Sequence, residues 1–118
     1  MRKTNTFNDL DFNDHANVAG GIQAKLDLGD GFEISVVSMK EGERPFGGLY
    51  GNASAGTYEV AVFYNGGMTP LSAYDDVIGW QDENAITMLM RDIQNNGVAW
   101  LKLLQEVRAE HNAEMMAD

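Results

Sequence analysis

Hydrophobic and polar residues alternate in three separate stretches of this chain. Ile22, Ala24, Leu26 and Leu28 are interleaved with Gln23, Lys25 and Asp27. That period of two marks a strand with one buried face. Gly29-Asp30-Gly31 follows and can supply the positive φ angles of a tight hairpin. Phe32, Ile34 and Val36 resume the alternation, whereas Val37 and Met39 fall on the opposite face, which predicts a bulge or a two-sided strand end. Tyr58, Val60, Val62 and Tyr64 give a third strand against Glu59, Ala61 and Phe63. Asn65-Gly66-Gly67 reads as a turn. Met68–Leu71 reads as a short strand held to a sheet edge by Pro70. "VIGW", behind Asp75-Asp76, reads as one more short strand.

The period changes after Asp82. Ile86, Leu89, Met90 and Ile93 follow i, i+3, i+4, i+7, a helical stripe that Asp82 can cap. Asn95-Asn96-Gly97 is a stop signal with Gly97 in the left-handed position. Leu101, Leu104 and Val107 then carry a second helix beside Val98 and Trp100. The two stripes stay in phase across Gly97, so one long helix with a glycine on its packing face is the alternative. These elements predict an α+β fold: an antiparallel β-meander of three to five strands followed by one or two C-terminal helices packed on one face. The single domain covers residues 18–118, and residues 1–17 form an irregular acidic arm. The glycine-rich loop 40–56 is the main interruption, and long loops of this kind tend to be functional or mobile.

Composition narrows the function classes. The 118 residues fit one domain. The absence of cysteine removes disulfides, thiolate metal sites and a Cys nucleophile. No apolar run is long enough to span a bilayer. Polar residues follow Arg2 and Lys3 where a signal peptide needs an apolar core, so the expected location is the cytoplasm. Charge is the unusual quantity, with 18 acidic residues against 8 basic ones and a net charge of −10. No Lys or Arg occurs between Arg44 and Arg91. A chain that neutralises phosphates needs clustered cations, so neither direct nucleic-acid binding nor attraction to an anionic membrane is expected. The field favours a protein partner with a basic surface, although −10 also serves plain solubility.

Candidate chemistry is thin. Asp9, Asp11 and Asn13 occupy positions 1, 3 and 5 of a calcium loop, but Asp14 stands at position 6 in place of Gly. Gly20 stands at position 12 in place of Glu, and a strand follows where a helix is needed. "GNASAGT" has phosphate-loop glycine spacing, with Thr57 where Lys is required. His15 and His111 have no metal-ligand spacing and read as exposed bystanders. No serine sits in a nucleophile elbow. No cofactor and no catalytic residue is therefore assigned.

What remains are partner-binding candidates. Phe7, Asp9, Asp11, Phe12 and Asp14 form an arm whose aromatics pack either on the domain or on a partner. Phe46 and Tyr50 are aromatic anchors on the glycine-rich loop. Asp75, Asp76, Asp82 and Glu83 can form a negative patch around Trp80.

In size, charge and lack of a catalytic constellation, the whole chain resembles the small acidic inhibitors carried by phages and mobile elements, of the anti-CRISPR and anti-restriction type. No motif carries the resemblance, so it transfers no residue roles. It implies a non-enzymatic acidic inhibitor that occludes a basic surface of a partner protein, such as a nucleic-acid-binding surface, in phage counter-defence. The alternatives are a homo-oligomeric structural or virion-associated assembly protein, with a homodimer through Met68–Leu71, and a small carboxylate-dependent enzyme.

Overall fold

The computed structural model describes residues 4–41, 49–73 and 75–116. It is an antiparallel meander followed by a long C-terminal helix. The strands are β1 (Asn13–Asp14), β2 (Gly21–Gly29), β3 (Phe32–Met39), β4 (Thr57–Tyr64), β5 (Gly67–Met68) and β6 (Val77–Asp82). The helix α1 spans Glu83–Met116. Strand order is β1-β2-β3-β4, and the free side of β4 is shared by β5 at one end and β6 along the rest.

Alternation decides which side chains meet the helix. Ile34, Val36, Val60 and Val62 are buried on one face with Phe32 and Tyr58, and Ile86, Met90, Ile93 and Leu101 of α1 cover them. Each such aliphatic or aromatic side chain contributes about 1.5–3 kcal/mol when fully buried. Among the described residues no helix covers the other face. Val37 and Met39 are buried there without any bulge in β3, which pairs in unbroken register with β4 from Phe32 to Val37. The two-sided strand end is therefore the form observed.

Three elements differ from the sequence expectation. The arm is not irregular throughout: Phe7–Asp9 form a 3-10 turn, and Asn13–Asp14 add a sixth strand to the sheet. Met68–Leu71 is not a four-residue strand. Only Gly67–Met68 pair with β4, a last bond runs from Thr69 N–H to the Val62 carbonyl at 2.8 Å, and Leu71 turns into the core. Pro70 has no N–H to continue the ladder.

At Gly97 the chain neither stops nor runs straight. Its φ of 23° and ψ of −98° kink α1 in mid-course. A Cβ at this position would stand 3.3 Å from Cε2 of Phe32, so the glycine lets the helix rest on that ring. Phe32 is packed by Tyr64 at 4.7 Å and edge-on by Trp100 at 6.2 Å between ring centroids.

Candidate interaction surface

The arm is tied to the domain along its length. Asn5 and Gln94 exchange two hydrogen bonds, Asn5 N–H to Oε1 at 2.7 Å and Nε2 to the Asn5 carbonyl at 2.9 Å. Phe7 N–H donates to Oγ1 of Thr87 at 3.1 Å. The rings of Phe7, Phe12 and Tyr58 form a cluster with centroid separations of 5.0–5.9 Å. The acids of this segment have local work: Asp9 Oδ2 accepts the Thr6 N–H at 2.8 Å, and Asp14 pairs with Lys40 at 2.6 Å. Asp11 is left exposed. Of the two readings of the arm, packing on its own domain is the one this geometry displays.

The four acids expected around Trp80 are not one patch. Asp75 and Asp76 precede β6, whereas Asp82 ends it and Glu83 opens α1, so about 20 Å of strand lies between the two pairs. Asp76 is bound by Arg108 Nη2 at 2.8 Å, and the same nitrogen donates to the Ser72 carbonyl at 3.1 Å. Asp75 closes a turn, its carbonyl accepting from Leu71 and Ser72 and its N–H donating to Ser72 Oγ. Asp82 caps α1 through Oδ1 and the Ala85 N–H at 2.8 Å. Glu83 opens the helix, and its charge adds to burial in raising the pKa of the Tyr58 phenol.

Trp80 itself lies on an irregularity where the run "VIGW" predicts a plain strand. Tyr58 pairs with Gln81 and Val60 with Ile78, so Gly79 and Trp80 together oppose Glu59 in a β-bulge. Trp80 is held at φ 57°, a left-handed conformation that is unusual for a bulky residue. Its N–H donates to the Tyr50 carbonyl at 2.8 Å. Gly79 makes this docking possible, because a Cβ there would be 2.4 Å from the Tyr50 Cβ. The result is two neighbouring aromatic residues with large exposed surface, Trp80 at 49% and Tyr50 at 61%. The Gly79-Trp80 pair inside an apolar run was the sequence signal for a bulge. Phe46, the other loop anchor, lies outside the described residues.

On the sheet face away from the helix is a groove of about 210 Å³. Glu59 and His15 share it with Val37, Leu49, Phe63 and Val77. Burial raises the pKa of the Glu59 carboxyl, against the opposing effects of a hydrogen bond from the Tyr50 backbone and the nearby His15 charge. His15 is thus half-buried beside a carboxylate, not an exposed bystander. Its Nδ1 accepts the Asn17 N–H at 3.0 Å. Among the described residues no group of three or more His, Cys, Asp or Glu could hold a metal ion, and no helix is long and apolar enough to cross a membrane.

No protein-family model matches the chain, nor does any curated protein or solved structure.

Proposed function

We propose that the protein is a non-enzymatic acidic binding protein that occludes a basic surface of a cytoplasmic partner protein. Its anchor is the Trp80–Tyr50 pair. The observation that carries this reading is the exposed Trp80 held in a strained backbone conformation and hydrogen-bonded to an exposed Tyr50. Strain of this kind costs about 1–3 kcal/mol and tends to persist where a side chain must be aimed. Large exposed aromatics are also the side chains that dominate binding energy at protein interfaces. Asp82 and Glu83 lie two and three residues beyond Trp80, and the net charge of −10 supplies a long-range field for a basic partner. An inhibitor carried by a phage or mobile element against a nucleic-acid-binding defence protein would have these properties.

The immobilised protein and its Trp80→Ala variant are compared for capture from cell lysate over a range of salt concentrations. The reading expects one dominant partner with a basic surface, released by rising salt and retained poorly by the variant. A partner held equally by both proteins, or held independently of salt, would contradict it.

A further inference from the structure

The outer edge of β2 is covered by β1 only where Asn13 pairs with Gln23 and Asp14 with Ile22. From Ala24 to Gly29 no strand pairs with that edge among the described residues. The direction of its backbone groups follows from the neighbouring ladder. His15 N–H donates outward-in to the Gly21 carbonyl at 2.8 Å, so Gly21 faces the edge. Alternation then turns the N–H and C=O of Gln23, Lys25 and Asp27 to the same side. β1 occupies Gln23, which leaves Lys25 and Asp27 presenting backbone groups with no strand opposite.

The side chains of this edge have a self-complementary order. Lys25 and Asp27 share the sheet face away from the helix, and both are exposed. Lys25 makes no ion pair among the described residues. Asp27 stands directly beside Glu33 in the register of β2 and β3, two acids abreast with an open position on the outer side. Like charges in that arrangement are unfavourable, and a cation across the edge would relieve them. An antiparallel copy of β2 centred on Leu26 supplies one: Lys25 of each chain falls opposite Asp27 of the other. The same register opposes the outward-facing backbone groups, so each pair exchanges two N–H···O bonds. It also sets Leu26 against Leu26 and Ala24 against Leu28, continuing the apolar layer under the helix. Centring on Lys25 or on Asp27 would place like charges face to face.

We infer that the β2 edge pairs with β2 of a second copy of this chain, across a two-fold axis at Leu26, to form one continuous sheet. The contact stops at Ala24 and Leu28, where β1 begins and the β2–β3 hairpin turns. This dimer is independent of the basic-partner reading, and each can fail without the other.

Sedimentation equilibrium of the full chain over a concentration series tests it. The native protein is expected to dimerise, and Lys25→Asp and Asp27→Lys are each expected to weaken the dimer about tenfold or more by opposing like charges. An equimolar mixture of the two variants restores opposite charges at both pairs and should re-form the dimer, as should the K25D/D27K double variant alone. Lys25→Pro leaves Asp27 untouched and removes both the Lys25 ammonium and an N–H that faces the edge, but none of the bonds from β2 to β3, so β2 stays paired with β3 while the dimer is lost. A native protein that stays monomeric, charge variants that dimerise normally, or a mixture that stays monomeric would overturn the inference.

Discussion

Trp80 sits at φ 57° although neighbouring conformations would cost less, and its N–H is fixed by Tyr50 while its ring is half exposed. Gly79 permits this arrangement by leaving room for the Tyr50 backbone. Gly79→Ala is therefore expected to displace the Tyr50 segment and weaken partner capture, with the fold retained by circular dichroism. Glu59 offers a second residue-scale test. Its carboxyl has a pKa raised above the ordinary value of 4.5, chiefly by burial. A carboxyl whose folded pKa exceeds its unfolded one stabilises the fold fully below the unfolded pKa, and that contribution is lost as pH rises through the folded value. The ionised Glu59 thus weakens the fold near neutral pH. Glu59→Gln should raise the melting temperature there, by an amount that shrinks as the pH falls toward 4.5 and is gone below it; a pH series of thermal melts checks the sign.

At the scale of elements, the kinked helix and the arm are where packing overrode local signals. Asn95-Asn96-Gly97 reads as a helix stop, yet Leu101 beyond it is buried in the same core as Ile93 before it. Continuity of that apolar stripe holds the two halves against one sheet, and the glycine absorbs the change of direction. Gly97→Ala adds a methyl group 3.3 Å from Phe32 at a positive φ, and is expected to destabilise the fold by about 1–3 kcal/mol in chemical denaturation. The arm's aromatics were legible as something to bury, but their destination was not. Tyr58, Gln94 and Thr87 lie roughly 50 to 90 residues away in sequence, and no local pattern links them to Phe7, Phe12 and Asn5. Phe12→Ala should lower stability by about 1–3 kcal/mol, as a half-buried ring removed from a packed cluster. Unchanged stability with lost partner binding would return the arm to a docking role.

At the scale of the molecule, the charge balance and the sheet alternation were both readable from the sequence, but their arrangement in space was not. A net charge of −10 on one small domain repels itself, so raising salt should increase the melting temperature until screening saturates. A melting temperature that falls or stays flat with added salt would show that local ion pairs, such as Asp76–Arg108 and Asp14–Lys40, outweigh the net repulsion.

The sequence by itself determined the α+β class, the principal strands β2, β3 and β4, their hairpin chemistry and the helical stripe beginning after Asp82. Each of these follows from periodicity and turn residues within a few positions of one another. It also determined the acidic character, a net charge of −10. Only the tertiary structure decided that Phe7 and Phe12 pack against the core, and that Asp76 serves an ion pair with Arg108. It likewise decided that Trp80 is turned outward at a bulge and that Lys25 and Asp27 stand on an edge that no strand covers among the described residues. These outcomes depend on which distant segments share a register or a face, and burial and hydrogen bonding across the sheet set that where local pattern does not.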